Sequence, residues 1–231
     1  MIEPLFEPRT LGALALPNAI VMAPMTRDRA GVGDVPGDLM VEYYRQRASA
    51  GLIITEGVQP SADGKGYWRT PGIWSADQVA GWRRVADAVH GEGGRIVMQL
   101  MHCGRVCVRA NKQDGSRTIA PSAIASADPV PGPDGVPVAT EMPHALTTDE
   151  VRQVVEEFAA AARNARAAGL DGVELHCASG YLPNQFLNPN SNQRDDIYGG
   201  SADNRIRFAI EILAAMADAI GAERVGFRIS P

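Results

Sequence analysis

The stretch GLDGVELHCASGY, residues 169–181, shows in miniature how this chain is built. A glycine closes one element, a short strand-like run from Val173 to Leu175 follows, His176 interrupts it, and a loop begins. The run is too short for a helix and reads as a buried strand. The same order recurs at Ile20 to Met25, Leu52 to Thr55, Arg95 to Met98 and Val225 to Phe227, each followed by one polar residue: Thr26, Glu56, Gln99 and Arg228. Helical stretches alternate with these runs, and alternating strand and helix implies a parallel sheet. In parallel barrels the chemistry gathers at the carboxyl ends of the strands, where these five polar residues stand.

Four helices follow from capping and period. Asp38 opens a segment that carries Leu39, Met40, Tyr43 and Tyr44 on one side. Ser75 with Gln78, and Thr147 with Glu150, form capping-box patterns. The first precedes Val79, Trp82, Ala86 and Val89; the second precedes Val151, Val154, Val155, Phe158 and Ala162. A fourth stripe, Ile206, Ile210, Leu213 and Ile220, ends at Gly221. Helix-to-strand links are short, whereas strand-to-helix links are long, and long loops in compact domains commonly bind or catalyse. The proline-rich segment from Pro121 to Pro143 lacks periodicity and is expected to wrap the surface or form a small subdomain or lid.

Composition narrows the function. At 231 residues and 45% hydrophobic content the chain could bury one substantial core. A formal charge of -5 and no Lys/Arg cluster argue against nucleic acid. No run approaches the ~20 apolar residues of a membrane span, and the first residues lack a secretory pattern. Three cysteines, Cys103, Cys107 and Cys177, suggest reduced thiols and a cytoplasmic setting. His102 near Cys103 and Cys107 lacks a second cluster at zinc-like spacing, so no metal is expected. No Rossmann or P-loop glycine motif occurs.

The remaining polar residues suggest a planar ligand. A buried guanidinium at Arg228 needs an anion or strong acceptor, supplied by a ligand or by an ion pair with Glu56 or Glu174. Gln99, in RIVMQL, needs both a donor and an acceptor partner. One heterocycle with a carbonyl–amide edge would answer both. His176 and Ser179 could each donate to a carbonyl oxygen, and the Tyr181 phenol could give a proton; a strand-end histidine can equally cap backbone.

With these residues in view, the chain resembles a known family. PLFEPRTLGALALPNAIVMAPMTRDRA, YYRQRASAGLIITEG, GYWRTPGIWSADQVAGWRRVADAVHGEGGRIVMQLMHCGR, AGLDGVELHCASGYLPNQFLNPNSNQRDDIYGGSADNRIRF and VGFRISP resemble, in order, the N-terminal part of the Old Yellow Enzyme family, FMN-dependent NADH:flavin oxidoreductases on a (β/α)8 barrel. The classical branch is the nearer one, because Thr26 stands where a thermophilic-like branch has cysteine. The resemblance implies an α/β TIM-type barrel truncated after about five strands and four helices. Residues 1–231 would be the N-terminal part of one FMN-binding domain, with strands six to eight and the phosphate-binding loops absent. Such a piece would hold FMN weakly unless a second chain or homo-oligomer completes the barrel.

Carried over by motif, Ala23, Pro24, Met25 and Thr26 would line the flavin, Gly57 would lie under it, Gln99 would pair with its pyrimidine edge, and Arg228 would face N1 and the C2 carbonyl. His176, which would also contact the cofactor, would hold the carbonyl of an α,β-unsaturated substrate, with Ser179 helping and Tyr181 protonating the adjacent carbon. Thr26 and Tyr67 would complete the substrate pocket, and NADH or NADPH would supply the hydride. Glu56 is left a structural role. Two departures stand out: the family has Asn or His where this chain has Ser179, and often Trp where it has Met101. The alternative is a non-catalytic piece or subunit that binds FMN only with a second chain. A flavin-free Schiff-base enzyme lacks an obvious lysine, since Lys65 and Lys112 both lie in loops.

Overall fold

The structure, a computed structural model, describes residues 3–230. Five parallel strands form its centre: β1 (Val21–Met22), β2 (Leu52–Val58), β3 (Ile96–Leu100), β4 (Gly172–His176) and β5 (Val225–Arg228). They lie side by side in chain order, so each crossover moves the sheet one strand onward, as in a TIM barrel. The result is a half-barrel, concave on one side and covered by helices on the other.

The helices are α1 (Asp38–Arg45), α2 (Ala76–Gly91), α3 (Thr148–Ala167), α4 (Leu182–Leu187) and α5 (Ala202–Ile220). Both expected capping boxes form, with the Ser75 and Thr147 hydroxyls accepting from the Gln78 and Glu150 amides. Trp82, Val85 and Val89 of α2 and Val151, Phe158 and Ala162 of α3 bury against the outer faces of the strands, in a core with Ile53, Ile96, Met98, Leu100, Val173 and Leu175.

Four sequence expectations need correction. Helix α4 is an additional element, only six residues long, too short to show a period. Strand β1 is shorter than the run Ile20 to Met25, because Pro24 has no N–H to donate to a ladder. On α5 the buried stripe is Phe208, Ile212 and Met216, while Ile206 and Ile210 are about half exposed. That helix carries two apolar stripes, and its packing on α3 and α4 selects one of them. On α1, Leu39 faces solvent while Met40 and Tyr44 are buried.

Strand periodicity decides the concave face. Side chains alternate across a strand, so the partners of the outward Ile96, Met98 and Leu100 are the inward Val97 and Gln99. At the amino ends of the strands, Leu52, Ile54 and Val97 are covered by Leu14 and Leu16 of an N-terminal hairpin (Arg9–Leu11 with Leu14–Leu16). Its turn residue Gly12 has φ +55, and a Cβ there would lie 2.2 Å from the Glu223 carbonyl oxygen, so only glycine fits. One rung higher, Gly57 pairs with Gln99, Gln99 with Glu174, and Glu174 with Gly226. Beyond them His176 pairs with Arg228. The floor is apolar, and polarity rises toward the carboxyl ends.

The segment after β3 forms a small subdomain, as expected. Ile119–Ala120 pairs in parallel with His144–Ala145, and Val130–Pro131 forms a hairpin with Pro137–Val138. Among the described residues no helix is long and apolar enough to cross a membrane, and no group of three or more His, Cys, Asp or Glu could hold a metal.

Candidate active site

At the carboxyl ends of the strands lies a cavity of about 280 Å³. Ala23, Pro24 and Thr26 border it from the loop after β1, and Gly57 from β2. Gln99 enters from β3 and Met101 from the residue after it, His176, Ser179 and Tyr181 from β4 and its loop, and Arg228 from β5. Five elements spread from Ala23 to Arg228 thus converge because parallel strands in register put corresponding rungs on the same face.

Two residues expected here stand elsewhere. Met25 is 44% exposed and outside the lining, since it follows Pro24 on the opposite side of an extended segment. Tyr67 borders a neighbouring cavity and reaches the site indirectly, its hydroxyl 3.1 Å from that of Tyr181. Glu56 points away, toward the helices: Tyr44 donates to it at 3.3 Å and the Arg27 amide at 3.1 Å. It ties α1 to the loop that carries Thr26, and burial raises its pKa to about 7.

Glu174, offered from the sequence only as a possible ion-pair partner of Arg228, stands at the centre of the site. Arg228 Nε and Nη2 donate to its two oxygens at 2.9 and 3.2 Å, and Gln99 Nε2 donates to the same Oε1 at 2.7 Å. The acceptor that Arg228 requires is therefore this carboxylate, one of the two protein partners considered from the sequence. The signal was available, because Glu174 stands two residues before His176 and so on the same face. Arg228 Nη1 and Gln99 Oε1 keep no hydrogen-bond partner among the described residues. The protein thus orients an amide oxygen and a guanidinium edge while neutralising much of the guanidinium charge.

His176, beside Arg228 on the neighbouring strand, and Tyr181 border the same cavity, their rings edge-on with centroids 4.9 Å apart. The Ala178 amide donates to His176 Nδ1 at 3.3 Å, which leaves the proton of the neutral ring on Nε2. Burial first, and then the charge of Arg228, press its pKa down to about 4 against the opposing pull of Glu174. Near neutral pH His176 is an uncharged donor whose Nε2–H has no partner among the described residues. Burial likewise pushes the Tyr181 phenol well above its ordinary value, so it keeps its proton. Ser179 sits at the mouth in a left-handed conformation, φ +59.

The floor fits a flat ring. A Cβ on Gly57 would lie 2.5 Å from both Sδ and Cε of Met101, so the strand carries no side chain where Met101 folds over it. Ala23 and Pro24 add low apolar surface beside it. About 280 Å³ is near the lower end of the ~300–1,000 Å³ typical of small-molecule sites. It admits a planar heterocycle with a hydrogen-bonding edge, and these residues fit an isoalloxazine ring. Among the described residues Arg228 is the one cation in the lining and is already paired, so they offer no free cation there for a phosphate.

A parallel half-barrel with a cavity at the carboxyl ends of its strands is part of a (β/α)8-type barrel. Residues 4–231 match the family described as NADH:flavin oxidoreductase / NADH oxidase, and the chain belongs to that family. Flavin oxidoreductase hxnT of Emericella nidulans is 48% identical over 238 residues, covering 100% of this chain and 60% of that protein. A protein of Leishmania infantum named a probable flavin mononucleotide-dependent alkene reductase is 47% identical, covering 100% of this chain and 64% of its own length. Morphinone reductase in complex with tetrahydroNAD superposes with a TM-score of 0.92 at 49% identity, over 98% of this chain and 64% of that one. The chain spans about three-fifths of the relatives it matches, and the resemblance to the Old Yellow Enzyme family holds along its length.

Proposed function

We propose that this chain supplies the ring-binding and proton-donating part of an FMN-dependent reductase of α,β-unsaturated carbonyl compounds. The observation that carries the reading is an uncharged, unpartnered His176 Nε2–H beside a protonated Tyr181 in one cavity with Gln99 and Arg228. FMN, when bound, would accept a hydride from NADH or NADPH and deliver it to the substrate carbon–carbon double bond. Gln99 Oε1 would accept from the ring amide, and Arg228 Nη1 would donate to its carbonyl edge. The Thr26 hydroxyl would donate at the other carbonyl, while Gly57 and Met101 would support the ring plane.

His176 Nε2–H would donate to the substrate carbonyl oxygen and polarise the double bond, a role suited to a fixed donor in a partly dry site. The Ser179 hydroxyl would donate to the same oxygen, directly or through a bridging water. Tyr181 Oη–H would transfer its proton to the α-carbon, and the Tyr67 hydroxyl, 3.1 Å away, would steady the phenolate that remains. Because His176 is uncharged, its donor strength would hold constant across neutral pH.

A second reading keeps the same cavity but makes ring binding depend on another chain. Its support is that β1 and β5 are the sheet's outer strands, with Val21 and Phe227 exposed on them. One experiment separates the two. The purified chain is titrated with FMN and with riboflavin and followed by visible absorbance and by turnover of a cyclic enone with NADPH. The first reading expects flavin uptake, similar affinity for both forms because the described residues of the lining offer no free cation for the phosphate, and NADPH-dependent enone loss. Colourless protein at saturating flavin, restored by a barrel-completing chain, selects the second.

A further inference from the structure

A larger cavity, of about 540 Å³, shares no lining residue with the one at the strand ends. It lies between three loops: Ala30 to Asp34 after β1, Lys65 to Arg69 after β2, and Asn111 to Gln113 after β3. Among the described residues its lining holds three cations, Lys65, Arg69 and Lys112, and one carboxylate, Asp34. That carboxylate is fully engaged. Lys65 Nζ donates to its Oδ1, and the Gln59 and Gln113 amides donate to its Oδ2 at 2.8 and 3.0 Å. The other two cations have no such partner.

Lys112 is only 9% exposed and makes no salt bridge among the described residues. Its Nζ donates to the backbone carbonyls of Asp63 and Arg117 at 2.7 and 2.9 Å, which leaves the third N–H without a protein partner. Burial pulls its pKa below the ordinary lysine value, while Cys107, Cys103, Asp63 and Glu141 pull the other way. Both of those carboxylates are committed elsewhere, Asp63 to Arg117 and Glu141 to Thr118. Arg69 stands at the exposed rim. Its Nε donates to the Ala30 carbonyl at 2.9 Å, and the Ala30 amide donates to the Arg69 carbonyl at 3.0 Å. That exchange fixes the guanidinium and leaves Nη1 and Nη2 without partners among the described residues. Asp28 is near enough to feel the Arg69 charge but makes no salt bridge with it. Trp68 lines the cavity beside them, 42% exposed, with Lys65 Nζ 5.7 Å from its ring centre.

A lysine drawn out of water without a counter-charge is costly, and an anion placed beside it offsets that cost. Two unneutralised cations match a phosphate monoester, which carries about −1.5 to −2 charges at neutral pH and three acceptor oxygens. A guanidinium edge and an ammonium N–H both suit those oxygens. A bare phosphate would leave most of the cavity unfilled, whereas its volume lies within the range of small-molecule sites. The remaining space borders Trp68, against which a planar base gains by stacking. We propose that this cavity binds a phosphate monoester carried on a planar ring, as in a nucleoside monophosphate. Lys112 and Arg69 hold the phosphate, and Trp68 holds the ring. The site does not depend on flavin binding at the strand ends.

The test titrates AMP, adenosine and inorganic phosphate into the purified chain by calorimetry, alone and with saturating riboflavin, which fills the ring cavity without supplying a phosphate. AMP is expected to bind at one site, about tenfold or more tighter than either fragment, and equally well with riboflavin present. Lys112→Met should weaken AMP and phosphate by about tenfold or more, the effect of one charge-assisted hydrogen bond, and leave adenosine unchanged. Trp68→Leu should weaken AMP and adenosine by about fivefold or more and spare phosphate. The proposal is overturned by undetectable AMP binding, by phosphate that binds as tightly as AMP, or by AMP that riboflavin displaces. Unchanged AMP affinity in Lys112→Met overturns it as well. Should that variant misfold, Arg69→Gln at the exposed rim supplies the reading: AMP affinity should fall by about tenfold, and no change counts against the site. Failure of the flavin reading shows separately, as protein that takes up no riboflavin.

Discussion

Glu174 Oε1 receives both Arg228 Nε, at 2.9 Å, and Gln99 Nε2, at 2.7 Å, so one carboxylate oxygen aligns the guanidinium and the amide that border the cavity. Strand register makes this possible: Glu174 is the cross-strand neighbour of Gln99, and Arg228 is paired two residues further along. Glu174→Gln should release the guanidinium from its counter-charge. Stability should fall by about 1–2 kcal/mol, below the 3–5 of a fully buried pair because Arg228 is 38% exposed. In flavin-loaded protein, potentiometry should show a more positive midpoint potential, since an unneutralised cation favours the reduced, anionic ring. An unchanged potential would mean that Arg228 does not face the ring.

Glu56 and His176 are pushed in opposite directions on the pH axis. Burial raises Glu56 from 4.5 to about 7, so its contribution to stability is complete below pH 4.5 and is lost as pH rises through about 7. His176 is lowered from 6.5 to about 4, so its contribution is present above pH 6.5 and is lost as pH falls through about 4. Glu56→Gln keeps an oxygen that accepts from the Arg27 amide, and its NH2 can donate to the Tyr44 hydroxyl instead of accepting from it. Denaturation curves at pH 5 and pH 8 should show this variant gaining relative to the parent at the higher pH. Parallel pH profiles would refute the burial argument.

Ser179 holds φ +59, a region that asparagine tolerates better than serine. Ser179→Asn should leave thermal stability equal or slightly higher, and its longer amide should reach the proposed carbonyl oxygen. Phenol binding, read from flavin absorbance, should tighten by about tenfold, the scale of one added hydrogen bond. Ser179→Val should instead cost about 1–3 kcal/mol, because a β-branched residue is strained there.

Gly57→Ala would bring a Cβ to 2.5 Å from the end of Met101. Methionine is adaptable, so the fold should survive at a cost of about 1–3 kcal/mol while the thioether swings into the cavity. Flavin affinity should drop more than stability does. Met101→Ala in the same protein should restore flavin binding, and failure to do so would place the ring away from Gly57.

Much of this architecture is legible from residues alone where a local rule governs. The Ser75–Gln78 and Thr147–Glu150 boxes mark helix starts because each is closed within one turn. Helix α5 misleads because it is apolar on two sides, and which side is buried depends on α3 and α4. Six-residue α4 leaves no periodic trace.

What the sequence by itself determined is the order of strand and helix, and that Gln99, His176 and Arg228 stand at or near the carboxyl ends of parallel strands, with Glu174 on the same side of its strand as His176. Those follow from alternation along each strand and from the crossovers that parallel strands require. Only the tertiary structure decided that Arg228 and Gln99 share Glu174 and that Tyr67 reaches Tyr181. These are meetings between distant segments, set by register and loop packing, and no local pattern in a chain encodes the distance between two side chains on different strands.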